Sequence, residues 1–91
     1  MKRLVIQFSE SNRKYGYLHW GYRQDADVRE FFGRRKSVSM VLDGLYVGEK
    51  SIDEKFRRIS IGPAKSRAIP EDITELVLKF SKDGRLQVTW D

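Results

Sequence analysis

The sequence predicts an α+β fold that is mainly antiparallel β: a small curved sheet, or a partly closed barrel, of about six strands with one short helix. Three observations lead there. Short runs of alternating apolar and polar residues recur along the chain, as strands with one buried face require. Asp43-Gly44 stands between two apolar runs, which is the signature of a tight hairpin. Apolar residues at helical spacing behind an acidic start are clearest in one stretch, residues 25–33.

Taken in order, residues 3–9 read as a strand with Leu4, Ile6 and Phe8 on one face. Residues 10–14 read as a polar turn, so a hairpin between the first two strands is expected. The second strand lies in Arg13–Arg23, a run that holds three tyrosines, one tryptophan and the single histidine. Alternation puts Arg13, Tyr15, Tyr17, His19 and Arg23 on one face. Lys14, Leu18, Trp20 and Tyr22 fall on the other, with Trp20 and Tyr22 assigned to the core.

The helix over 25–33 has Val28, Phe31 and Phe32 as its buried stripe, Asp25 or Asp27 as its cap, and Gly33 as its stop. Around Asp43-Gly44, Leu42 should face Leu45 and Val41 should face Tyr46. Residues 48–54 read as a polar connection and 55–61 as a strand, with Phe56 and Arg58 pointing one way and Ile59 and Ile61 the other. The two prolines and one glycine of 62–72 make a loop whose tip is Lys65-Ser66-Arg67. Residues 74–80 and 85–90 alternate strictly on either side of Ser81–Gly84 and form the last hairpin.

The chain has 91 residues, enough for one domain over 1–91. Lys and Arg number 18 against 13 Asp and Glu, a net charge of +5, concentrated in the first 36 residues. That balance favours polyanionic partners. The absence of cysteine excludes disulfides, thiolate metal sites and a cysteine nucleophile. One histidine cannot supply a His-rich metal cluster, and the serines lack a nucleophile-elbow context. Enzymatic activity is therefore not expected and no cofactor is assigned. A D-x-K pattern at Asp53-Glu54-Lys55, with Asp43 as a second carboxylate, is the one trace of a metal-dependent nuclease. The first apolar run is too short for a signal or membrane segment, so the expectation is a cytoplasmic protein with no membrane partner.

What remains is binding. A cationic surface with aromatic rings interleaved suits nucleic acid, single strands above all, because every base offers a π-face. The candidate contacts are Arg13, Lys14, Tyr15, Tyr17, His19, Arg23, Arg34, Arg35, Lys36, Arg57, Lys65 and Arg67. The alternative is a protein-interaction module, self-associating or part of a larger assembly, since short strands leave edges for another chain.

Overall fold

The computed structural model describes residues 2–91. Among them the chain forms seven strands, three α-helices and one 3₁₀ turn. The strands are β1 (Leu4–Gln7), β2 (Tyr17–His19), β3 (Ser37–Leu42), β4 (Leu45–Asp53), β5 (Arg58–Ser60), β6 (Glu75–Phe80) and β7 (Leu86–Thr89). The helices are α1 (Glu10–Tyr15), α2 (Asp25–Phe32) and α3 (Pro63–Ser66), with the 3₁₀ turn at Tyr22–Gln24. The strands join in the order β1-β6-β7-β3-β4-β5-β2 as a nearly closed, barrel-like sheet. All pairs are antiparallel except β3 with β7.

The two hairpins legible in the sequence form as expected. Asp43 and Gly44 both take positive φ, 48° and 84°, as a type I′ turn demands. Leu42 then pairs with Leu45 and Val41 with Tyr46. A bulge between Met40 and Val41 shifts the register, and β4 continues through residues expected to be a connection. At the C-terminal end, Leu78 pairs with Val88 and Phe80 with Leu86.

The β1–β2 hairpin does not form. The expected turn at 10–14 is helix α1, and its signals are local. Ser9 caps it: the Ser9 hydroxyl accepts the Asn12 N–H at 3.1 Å, while Asn12 Oδ1 accepts the Ser9 N–H at 2.9 Å. Gly16 ends it in the left-handed region, its N–H donating to the Asn12 carbonyl. With α1 between them, β1 pairs with β6 and β2 with β5. Strand β2 shrinks to three residues, though its alternation holds: Leu18 and Trp20 are buried while Tyr17 and His19 face outward. Tyr22, expected in the core, lies in the 3₁₀ turn with two-thirds of its surface exposed. The strand expected over 55–61 is trimmed to β5, because a turn at 54–57 places Arg57 at φ 55°. The loop over 62–72 contains α3.

Helix α2 forms where its stripe predicts, with Val28, Phe31 and Phe32 buried. Neither aspartate caps it; Gln24 holds the cap position and Asp25 is drawn elsewhere. The Phe31 ring stacks on Phe80 at 5.0 Å and meets Phe32 edge-on at 5.0 Å. These rings close over a core of Leu4, Ile6, Met40, Ile59, Leu76, Leu78, Leu86 and Val88.

Gly16 is a point of close approach as well as a stop. A Cβ there would lie 2.2 Å from the Gly62 carbonyl carbon and 2.5 Å from the Pro63 nitrogen. Gly44 has positive φ but open space around it. Gly44→Ala should therefore cost about 1–2 kcal/mol, the backbone penalty alone. Gly16→Ala should exceed about 3 kcal/mol, because backbone must move as well. Urea unfolding of the two variants checks this, and equal losses would contradict the close approach.

Candidate functional site

Strands β2 and β5 present one outward face built by alternation. Leu18 and Ile59 pair across the ladder and point into the core. Their neighbours Tyr17, His19, Arg58 and Ser60 therefore point out. His19 is paired with Arg58 and Tyr17 with Ser60. The Arg58 guanidinium lies 4.2 Å from the Tyr17 ring centroid and 5.0 Å from that of Phe56. Lys55 adds its ammonium 5.5 Å from the Phe56 ring. Phe56 is half exposed. The result is two rings bridged by one cation, with an imidazole alongside.

The turn that carries Phe56 is fixed by Asp53, whose Oδ1 accepts the Phe56 N–H at 3.1 Å. Arg57 and β2 are fixed from behind by Asp25. Its Oδ1 accepts the Trp20 indole N–H at 3.1 Å, and the Arg57 Nε–H donates to both carboxylate oxygens at 3.0 and 3.1 Å. The Trp20 main-chain N–H donates to the Arg57 carbonyl at 3.0 Å. The Arg57 bond, with the Trp20 bond and the nearby guanidinium charges adding to it, holds the Asp25 carboxyl below its ordinary pKa.

The residues singled out in the sequence divide sharply. Tyr17 and His19 stand together on this face. Arg23 lies beside His19 around an open cleft, its guanidinium 5.8 Å from the Tyr22 ring. Arg13 turns inward: its guanidinium donates to the carbonyls of Ile69, Pro70 and Ile73 and sits 4.9 Å from the Phe8 ring. It is buried and offers nothing to a ligand. Arg57 is committed to Asp25. Arg35 lies 4.2 Å from the Phe80 ring and donates to the Phe32 carbonyl, closing the end of α2. Arg34 and Lys36 flank it in solvent.

Lys14 covers the exposed Tyr15 ring at 5.4 Å on α1, away from the Tyr17–Arg58 pair. Lys14 and Arg67 line an open cleft with Glu10, Arg13 and Glu71, apart from the Tyr17–Arg58 pair. Lys65 borders a separate apolar cleft with Leu45, Ala68 and Trp90. Ser66, at the tip expected to meet anions, is buried, and its hydroxyl donates to the Arg13 carbonyl.

Arg58, Phe56 and Lys55 were absent from the sequence-derived set. The signal for Arg58 was present: it alternates with Ile59, so a buried Ile59 places it outside. The nuclease pattern does not assemble. Asp43 sits in the hairpin turn and Asp53 in the Phe56 turn. Among the described residues no three His, Asp or Glu side chains gather as metal ligands. Nor is any described helix long and apolar enough to cross a membrane. No family model, curated protein or solved structure matches the chain.

The depressed Asp25 carboxyl fixes a pH dependence. A group whose folded pKa lies below its unfolded value stabilises the fold above the unfolded pKa and loses that contribution as pH falls through the folded one. The stability difference between the wild-type chain and Asp25→Asn should thus be full at neutral pH and close below the carboxylate range. Melting temperatures across pH 2–7 test it, and a pH-independent gap would show that the Asp25 charge plays no part.

Proposed function

We propose that the protein binds single-stranded nucleic acid without catalysis, on the outward face of β2 and β5. The observation that carries this is the Phe56–Arg58–Tyr17 cluster with His19 beside it. The exposed Phe56 ring and the half-buried Tyr17 ring, each with the Arg58 guanidinium on one side, can stack on bases, and stacking is worth about 1–3 kcal/mol per base. Arg58 and Lys55 can each meet a phosphate from the same place.

The charge near the cluster is modest. Asp53 lies across from Arg58 in the strand register, and the cations in reach of the strand are Arg58, Lys55 and Arg23. With two or three phosphate contacts, the slope of log K against log salt should lie between about −1.4 and −2.1, from about −0.7 per phosphate on a single strand. The formal charge of +5 would suggest a steeper slope.

A second reading has its own support. Leu45 and Tyr46 at the β3–β4 turn are 62% and 51% exposed, and Leu45 shares a cleft with the partly buried Trp90. That tip suits a protein partner or a second copy of the chain.

Fluorescence anisotropy with short single-stranded oligonucleotides at two salt concentrations tests the first reading. Tyr17→Ala should weaken binding about fivefold or more and leave the salt slope unchanged. Lys55→Ala should reduce the slope by about one contact's worth. Unchanged affinity in both variants would remove this face as the site. Sedimentation of the protein alone, with Leu45→Ser as comparison, tests the second: a dimer lost in the variant would support it, and a monomer throughout would count against self-association.

A further inference from the structure

Strands β1 and β2 end the strand order, and among the described residues no strand pairing joins them. Their facing edges still carry backbone groups. The Val5 carbonyl accepts the Gln24 amide Nε2–H at 2.9 Å, so Val5 points away from β6, and Gln7 follows it by alternation. On β2, the Trp20 N–H donates to the Arg57 carbonyl and the Gly16 carbonyl accepts from Ile61. Residues 16, 18 and 20 therefore face β5, and Tyr17 and His19 turn their peptide groups toward the gap.

The gap is an open cleft of about 450 Å³ with Gln7, Asn12, His19, Tyr22, Arg23 and Gln24 around it. That volume is within the range of small-molecule sites. Three amide residues line it, and each is held by one bond elsewhere. Gln7 Nε2–H donates to Glu75, Asn12 Oδ1 accepts from Ser9, and Gln24 Nε2–H donates to Val5. The opposite end of each amide, two acceptors and one donor, makes no hydrogen bond to the protein among the described residues and is available to a ligand. Arg23 supplies the charge, and no carboxylate lines the cleft. The Tyr22 ring is exposed at its rim, and His19 belongs to both the cleft and the aromatic face.

We infer that this seam seats one nucleobase of the strand lying on the β2–β5 face, with the base ring against Tyr22 and its polar edge read by the amides of Gln7, Asn12 and Gln24. The inference rests on the single-strand reading above and adds base selectivity to it. Stacking on Tyr17 and Phe56 accepts any base, whereas hydrogen bonds to a base edge do not.

The test is anisotropy with four short homopolymers, one per base, on the wild-type chain and on Gln7→Ala, Tyr22→Ala and Lys55→Ala. Gln7 and Tyr22 are surface residues, so loss of fold is not expected, and circular dichroism verifies it. The wild type should separate the best and worst homopolymer by about fivefold or more. Gln7→Ala should collapse that spread, and Tyr22→Ala should weaken the preferred strand most. Lys55→Ala should weaken all four alike and keep the spread. Tyr17-dependent binding with no spread, or with a spread indifferent to Gln7, would overturn the seam as a base site while the β2–β5 face stands. No binding to any homopolymer would overturn both. Perturbation of the Gln7 and His19 backbone amide NMR signals by an extended peptide but not by oligonucleotides would assign the seam to strand addition and overturn the base site.

Discussion

The fold turns on one buried cation. Arg13 leaves α1 and enters the protein, where it donates to three main-chain carbonyls, those of Ile69, Pro70 and Ile73. Its nearest carboxylate, Glu10, is 3.9 Å away and almost fully exposed, so the carbonyls and the Phe8 ring replace most of the lost hydration. Burying a charge costs several kcal/mol, and bonds from a charged donor return about 1.5–3 kcal/mol each. The guanidinium suits the task because its planar fork reaches several acceptors at once, which an ammonium on a flexible stem does not. The bonds tie α1 to the segment that leads into β6. Strand β6 pairs with β1, which leads into α1, so Arg13 closes a circuit of chain. Ser66 closes a second one by donating to the Arg13 carbonyl, and the approach of Gly16 to Gly62 packs α1 on α3. Tyr17 is the next residue after Gly16, so the aromatic face inherits its position from these contacts.

Exposed rings in this protein are seldom bare. Tyr15 lies under Lys14, Tyr22 under Arg23, Tyr46 under Arg85, and Phe56 under Lys55 and Arg58. A cation over an exposed ring contributes about 0.5–1 kcal/mol, and its aliphatic stem shields apolar surface. Most of these pairs join residues adjacent in sequence and stand alone. Arg58 differs because it serves two rings from separate elements, the β2 strand and the turn before β5. It thereby ties the turn before β5 to β2 on the outward face.

Local pattern made some elements legible and hid others. Alternation with a positive-φ dipeptide gave the β3–β4 turn to the register, because everything that determines it lies within a few residues. The β6–β7 hairpin and the α2 stripe were legible for the same reason. Helix α1 was missed although Ser9, Asn12 and Gly16 all mark it; the aromatic alternation that follows drew the strand too far back. The parallel β3–β7 pair and the β2–β5 pair join distant segments, and no local pattern specifies them. Arg13 illustrates the limit best. On a strand it belongs with Tyr15 and Tyr17, and only acceptors 56 residues and more along the chain make it a core residue.

Charge counted along a sequence weights every cation equally, and the fold does not. Arg13 is inside, Arg57 is neutralised by Asp25, and Arg35 closes α2. Three of the twelve residues proposed from sequence are thus occupied by the fold itself. The face that remains around Tyr17 has few cations but several π-surfaces and, at the seam, amides. Its chemistry therefore weighs bases above phosphates. On the reading proposed above, such a surface would hold a strand through its unpaired bases, which a duplex keeps stacked and hidden, so the proposed preference for single strands and the shallow salt response expected with it share one cause, the scarcity of charge.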